Sequence, residues 1–189
     1  MLSNYYRYLN LPEDCFDKNK LSSDVSIDLN KNRNKHWDHL DNYFTNDIKE
    51  WLSKFNYNLT NAELFYTAPF GQLPWHIDMN PPEDFVKINF VWGSKNHLME
   101  WGELKNSNIS IDTLRTEVGS QYSKFTQDQI DSKIAITITK PILVNVGKPH
   151  RVVNLSREGR WCFCMILTCN DRRIFFDDAV NTLNECVLD

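Results

Sequence analysis

A histidine and an aspartate stand one residue apart in Leu73-Pro74-Trp75-His76-Ile77-Asp78-Met79, just ahead of an apolar run that reads as a strand. In an extended backbone alternate side chains share a face, so His76 and Asp78 point the same way and make a two-pronged ligand for a metal ion. Two ligands do not hold a catalytic metal. A third has to come from a distant strand on the same inner face, and His150 meets that condition. It follows the apolar stretch Ile142-Leu143-Val144-Asn145-Val146 and the turn Gly147-Lys148-Pro149, and it opens Arg151-Val152-Val153-Asn154-Leu155.

Two histidines and one carboxylate at three corners of an octahedron leave the opposite three corners free, which is the facial triad of non-haem Fe(II) oxygenases. The free corners can take a bidentate organic acid and then dioxygen. If that acid is 2-oxoglutarate, its far carboxylate needs a cation deep in the fold, and the planar fork of arginine suits it. Arg160 stands at the start of the last long strand, ten positions beyond His150. Alternation puts it on one face with Cys162, Cys164, Ile166 and Thr168, opposite Trp161, Phe163, Met165 and Leu167. Arg157 competes for the role, but it lies in the polar turn Ser156-Arg157-Glu158-Gly159, where a solvated arginine is the usual outcome. Lys87 and Asn89 share one face of Phe85 to Trp92, so they line either a wet cavity, where Asn89 would add a cosubstrate contact, or the solvated face of an edge strand.

His-x-Asp alone is weak evidence, because His36-Trp37-Asp38 and His39-Leu40-Asp41 are two further copies. Both lead into an amphipathic helix, where positions two apart point about 200° away from one another and do not chelate. His36 and His39 could share a helical face as zinc ligands, against a solvated helix start. Cys162-x-Cys164 with Cys169 reads as buried thiols in an apolar strand. Tyr66 and Trp101 read as core aromatics that could also reach the cavity. His97, after Gly93-Ser94-Lys95-Asn96, reads as a surface turn residue.

His76-x-Asp78 followed by His150-Arg-Val-Val-Asn154-x-Ser156-x-x-x-Arg160 resembles the iron(II)- and 2-oxoglutarate-dependent dioxygenase superfamily, and its second half is similar to the aspartyl/asparaginyl β-hydroxylase-like branch. The resemblance spans roughly residues 62 to 169. It implies a double-stranded β-helix, Fe(II) held by His76, Asp78 and His150, and 2-oxoglutarate anchored by Arg160. The activity it implies is hydroxylation of an amino acid, a peptide side chain or a small metabolite, with release of succinate and CO2. Two other readings stay open: a cupin-like metal enzyme that does not use 2-oxoglutarate, and a non-catalytic jelly-roll binding module.

The elements that must position these residues follow from pattern. Phe44, Ile48, Trp51, Leu52 and Phe55 recur at spacings of three and four, which predicts a helix over Asp41 to Phe55 capped by Asp41 or Thr45. Candidate strands are Ala62 to Thr67, Trp75 to Asp78, Phe85 to Trp92, Leu98 to Leu104, Ile134 to Thr139, Ile142 to Val146, Arg151 to Leu155 and Trp161 to Cys169. Short strands in this number predict a mainly β fold with flanking helices, a jelly roll. Residues 1 to 35 read as irregular with one short strand, Ile111 to Asp131 as a short helix or a loop over one mouth of the barrel, and the tail as a short helix.

The chain of 189 residues, 41% hydrophobic and 24% charged, suits a single domain over 1–189. Within it, 1–60 would supply loop and helical support, 61–170 the jelly-roll core, and 171–189 the C-terminal tail. A net charge of −4 lacks the footprint of a general nucleic-acid binder. Lys148, Arg151, Arg157 and Arg160 nonetheless cluster around His150, which points to an anionic small-molecule or peptide substrate. The absence of any run of eighteen apolar residues or a secretion signal makes a soluble, cytoplasmic protein with no membrane partner the expectation. The five cysteines, odd in number and unevenly spread, read as reduced thiols. Oligomeric state has no signature in the sequence, although exposed sheet edges leave dimerisation open.

Overall fold

The computed structural model describes residues 3–12, 15–23, 28–37, 43–78, 83–106, 113–115 and 121–188. Two antiparallel sheets face each other and form the jelly roll. The larger runs in the order β14 (Val187–Leu188), β1 (Tyr6–Leu9), β10 (Ile142–Asn145), β5 (Val86–Gly93), β12 (Arg160–Cys169), β3 (Asn58–Thr67) and β2 (Arg33–Trp37), with β13 (Arg172–Arg173) paired to β12. The smaller runs β7 (Thr113–Arg115), β8 (Gln121–Phe125), β4 (Trp75–Ile77), β11 (His150–Asn154), β6 (His97–Leu104) and β9 (Ile130–Ile136). All eight strands expected from the sequence have a counterpart, although the one expected at Ile134 to Thr139 lies earlier, as β9 at Ile130–Ile136.

Strand alternation decides where the apolar and polar layers go. On the larger sheet, Leu64, Ile88, Phe90, Phe163, Met165 and Leu167 face outward, away from the partner sheet, into the largest apolar cluster. There they meet Ile48, Trp51 and Leu52 from α2 (Asn46–Ser53). That helix starts at Asn46 and ends at Ser53, inside the expected span of Asp41 to Phe55, with Thr45, one of the two caps foreseen, in the N-cap position but making no side-chain cap hydrogen bond; the other, Asp41, lies outside the described residues. It carries Asp47 in its first turn, and Asn56 at φ 57 reverses the chain after it. The helix α1 (Lys18–Ser23) contributes Leu21 to the cluster, and α3 (Phe176–Thr182) contributes Phe176 and Ala179. Each large side chain buried here contributes roughly 1.5–3 kcal/mol. Between the sheets a second cluster joins Met99, Trp101 and Val152 to Ile142 and Val144.

This layering leaves the rest of the inward face unusually polar. Glu63, Thr67, Lys87, Asn89, His150 and Arg160 are all buried. Burying such groups costs free energy unless they meet partners or a ligand.

Three expectations need correction. His36 and Trp37 belong to β2, not to a helix, because the backbone of Arg33–Trp37 pairs with Tyr66 to Ala62 of β3; Asp38, His39 and Asp41 lie outside the described residues. Where a short helix or a loop was expected over 111–131, the described residues hold β7 and β8, which pair with each other, a 3-10 turn at Gln127–Gln129 and the start of β9, and β8 in turn extends the sheet beyond β4. The region before residue 36 supplies β1, α1 and part of β2, more than one short strand. The tail does form the expected short helix, α3, and adds a 3-10 turn and β14 after it. No helix among the described residues is long and apolar enough to cross a membrane.

Candidate metal centre

The centre is built on cross-strand register. β11 lies antiparallel between β4 and β6, and His150 sits directly opposite His76. Directly opposed residues project to the same face, so the two rings meet with centroids 4.3 Å apart. Trp75 and Ile77, which flank His76, point the other way into a small cluster with Phe125 and Ile130 and hold β4 in place. Asp78 follows the strand end, where its backbone N–H donates to Val146 carbonyl at 3.2 Å.

Each histidine has its ring orientation fixed. His76 Nδ1 donates to the Pro74 carbonyl at 2.8 Å, and His150 Nδ1 donates to the Lys148 carbonyl at 2.8 Å. With the proton held on Nδ1, the Nε2 lone pair is left for a ligand. Both Nε2 atoms converge on one oxygen, Asp78 Oδ1, at 3.4 Å from His76 and 3.6 Å from His150. Adjacent corners of an octahedron with bonds of about 2.0–2.1 Å lie about 3 Å apart, so a small contraction brings the donors into a metal's first sphere. His76, Asp78 and His150 thus form a set whose ligand atoms all lie within 4.8 Å and that could hold a metal ion.

The electrostatics suit the same occupant. Burial, together with His76 nearby, pushes His150 down to about 4, so the ring is neutral at physiological pH and its lone pair available. Burial alone would raise the Asp78 carboxyl, but the Lys87 ammonium and the contact with His76 hold it well below the usual carboxylate range. Lys87 Nζ lies 2.7 Å from Asp78 Oδ2 and 2.9 Å from Glu63 Oε2. Burial disfavours its charge, yet the two carboxylates push its pKa up.

A cavity of about 50 Å³ opens beside the triad and is walled by residues of both sheets. Its polar lining includes Lys87, Asn89, Arg160, Cys162 and Cys164. β5 lies between β10 and β12, so the edge-strand reading of Lys87 and Asn89 is overturned and both line the cavity. Asn89 Oδ1 has no hydrogen-bond partner. Arg160 is 1% exposed, and its Nε and Nη2 are likewise unpartnered. Buried unpartnered guanidinium nitrogens beside a cavity are the mark of a site shaped for an anion. Cys162 and Cys164 have sulfurs 3.6 Å apart. The hydrogen bond from Cys164 and the nearby Arg160 bring the Cys162 thiol to about 7, while burial pushes Cys164 up.

Asn154 and Ser156, singled out in the sequence only as letters of a pattern, prove to position Arg160. The Asn154 amide donates to the carbonyls of Ala68 at 2.9 Å and Glu158 at 2.8 Å, and its oxygen accepts from Ser156 N–H at 3.2 Å. Ser156 Oγ accepts from Glu158 N–H at 3.0 Å. Together they tie the end of β3 to the turn that delivers Arg160 into β12.

Arg157 is exposed in its turn. Arg151 is engaged by Glu100 at 2.6 Å and lies over the Trp75 ring, and Lys148 pairs with Asp84 at 3.1 Å. Tyr66 packs on Trp161, and Trp101 stacks on Tyr6, so both are core. His97 is no surface residue: it is 2% exposed, with Nδ1 donating to Ser94 carbonyl at 2.9 Å and Nε2 accepting from Ile138 N–H at 3.2 Å. The sequence signal for that was its place as the first residue of an apolar strand. The five cysteines are all free thiols, three of them buried. Lys87 is the functional candidate whose importance alternation alone did not reveal.

No family model matches this chain, and no curated protein does. Among solved structures it is similar to an oxalate oxidase in complex with the substrate analogue glycolate, at 14% identity and a TM-score of 0.37 over 90% of this chain and 77% of that one. It is also similar to a cupin 2 domain-containing protein from Halorhodospira halophila, at 10% identity and a TM-score of 0.36 over 94% and 88%. A third is Peruvianin-I, a cysteine peptidase from Thevetia peruviana latex, at 12% identity and a TM-score of 0.40 over 87% and 78%. Likenesses this loose assign no chemistry to the present chain.

Proposed function

We propose that this protein is an Fe(II)- and 2-oxoglutarate-dependent dioxygenase that hydroxylates an amino acid, a peptide side chain or a small metabolite. One observation carries the reading: the buried Arg160 guanidinium, with Nε and Nη2 unpartnered, lines the same cavity as the His76–Asp78–His150 triad. A metal site alone would not call for a buried arginine, whereas a bidentate acid that binds the metal through one end needs a cation for the other.

Iron and 2-oxoglutarate would supply the hard chemistry, in which 2-oxoglutarate and dioxygen give succinate and CO2 while one oxygen atom enters a substrate C–H bond. The chain supplies placement. His76, Asp78 and His150 would hold the metal, with His76 Nε2, Asp78 Oδ1 and His150 Nε2 facing one another. Arg160 receives the far carboxylate, and Asn89 can turn its amide NH2 toward it, since the two orientations of the group are interchangeable. Phe65, Leu73, Val146 and Val152 form the apolar wall that keeps bulk water from the reacting centre. Charge points the same way: Lys87 is held between Asp78 and Glu63, and a divalent metal together with Arg160 adds positive charge that a dianionic cosubstrate would offset. A cavity of about 50 Å³ holds on the order of four waters, so a small acid fits inside while the substrate approaches from the mouth.

The deciding experiment loads the protein with Fe(II) under nitrogen and adds 2-oxoglutarate. The expected result is a new visible absorption band at one equivalent, followed in air by succinate formation that Asp78→Ala abolishes. Fe(II) binding with no response to 2-oxoglutarate would leave a cupin-like metal enzyme that uses another cosubstrate or none. Absence of metal binding would leave a non-catalytic binding module.

A further inference from the structure

The triad's carboxylate is shared between two neighbours. Asp78 Oδ1 faces the two histidine Nε2 atoms, and Asp78 Oδ2 is held by Lys87 Nζ at 2.7 Å. Lys87 is 6% exposed on a central strand, with Glu63 Oε2 at 2.9 Å on its other side. A lysine ammonium buried beside a metal site repels the cation that the site is built to hold. The cost of placing it there calls for a compensating role, and the way it divides the carboxylate supplies one.

We propose that Lys87 is a positioning residue that keeps Asp78 monodentate and so sets the number of open metal positions; this rests on the function proposed above. The count of corners gives the reason. A bidentate organic acid needs two positions and dioxygen a third, so the protein can fill only three of six. A carboxylate free to swing would offer both oxygens and take a fourth. Lys87 engages the second oxygen and prevents that. Glu63 neutralises the ammonium, which keeps the pair from driving the metal away. The neighbouring ligands need no such guard, because a histidine whose Nδ1 is tied to a carbonyl has one donor to give.

The test uses Mn(II), whose bound waters are counted by the relaxation rate of solvent protons, with no turnover required. Lys87→Met alone takes the 2.9 Å ammonium partner from the buried Glu63 carboxylate, so Lys87→Met/Glu63→Gln, which removes both charges, is the variant of choice. Wild type should bind one Mn(II) with three exchangeable positions. The double variant should bind Mn(II) with relaxivity lower by about a third and affinity for 2-oxoglutarate, read on the Co(II)-loaded protein, at least tenfold weaker. Unchanged relaxivity and unchanged 2-oxoglutarate affinity in the double variant would overturn the positioning role and leave the metal reading intact. A wild type that binds neither Mn(II) nor Co(II) would overturn the proposed function, and the role of Lys87 with it.

Discussion

His76 and His150 face each other across the β4–β11 pair and aim their Nε2 atoms at the same oxygen of Asp78. Three donors held by backbone register and carbonyl hydrogen bonds form a preorganised site, so little reorganisation opposes metal entry. Asp78→Ala removes the one anionic ligand and leaves two neutral ones beside Lys87. The expected outcome is loss of Co(II) or Fe(II) affinity by at least 100-fold in equilibrium titration. Because that truncation also removes one of the two carboxylates that hold the buried Lys87 ammonium, Asp78→Asn serves as the milder companion and should still lose at least tenfold.

Arg160 predicts a trade between stability and binding. Its unpartnered buried nitrogens cost the metal-free protein about 1–3 kcal/mol, since a buried donor without an acceptor forfeits its hydration. Arg160→Met keeps much of the volume and removes the donors. It should raise the urea midpoint of the metal-free protein and weaken 2-oxoglutarate binding by roughly 10- to 100-fold, with metal affinity unchanged. A variant that loses stability and leaves 2-oxoglutarate binding intact would show that Arg160 is structural.

His97 and His150 predict a weakening of the metal-free protein on mild acidification. Burial and Arg160 lower His97 to about 4, and burial and His76 lower His150 to about 4. For His97 the reason is also geometric, because Nε2 already accepts Ile138 N–H and has no room for a proton. An unfolded histidine takes up its proton near pH 6.5, so between pH 6.5 and 4 the unfolded chain binds more protons than the folded one. The contribution is fully present above pH 6.5 and is lost as pH falls toward 4. Unfolding in urea with a chelator should show a loss on the order of 2 kcal/mol per histidine between pH 7 and 5. In His97→Gln, one of the two shares should vanish from the slope.

The legibility of these features in sequence follows from their range. β5, β10, β11 and β12 announce themselves because each is apolar on at least one face and bounded by turn residues, and the metal pair at 76 and 78 needs only a period of two. β2 and β8 are polar segments, Arg33–Trp37 and Gln121–Phe125, which are strands because a neighbour offers a free ladder edge. Local propensity carries no record of that. Lys87 was visible as an inward polar residue, but its bridge from Asp78 to Glu63 depends on three strands meeting, and His97 reads as a turn until Ser94 and Ile138 close around it.

Arg151 and Arg157 were equal candidates for reading an acidic substrate, and the structure separates them. Arg151 is spent on Glu100 and on the face of Trp75, while Arg157 is exposed. Arg151→Ala should therefore cost about 1–2 kcal/mol of stability through lost packing and a partly buried ion pair. Arg157→Ala should stay within about 0.5 kcal/mol of wild type. If either arginine recognises substrate, Arg157 is the one whose removal weakens substrate binding without a change in thermal midpoint.

Gly93 ends β5 opposite Arg160, at φ 89, a conformation that side-chain-bearing residues seldom adopt. A methyl group there would also run into the Gly159 carbonyl, which accepts the Ser94 N–H at 3.0 Å. Gly93→Ala therefore has to twist the end of β5 away from the start of β12 at the level where the guanidinium is rooted. The backbone strain should cost about 2 kcal/mol or more. Because the triad sits on β4 and β11 in the other sheet, metal affinity should be retained while 2-oxoglutarate affinity falls several-fold. Parallel titrations of Co(II) and of 2-oxoglutarate on the loaded protein distinguish this from general unfolding, which would remove both.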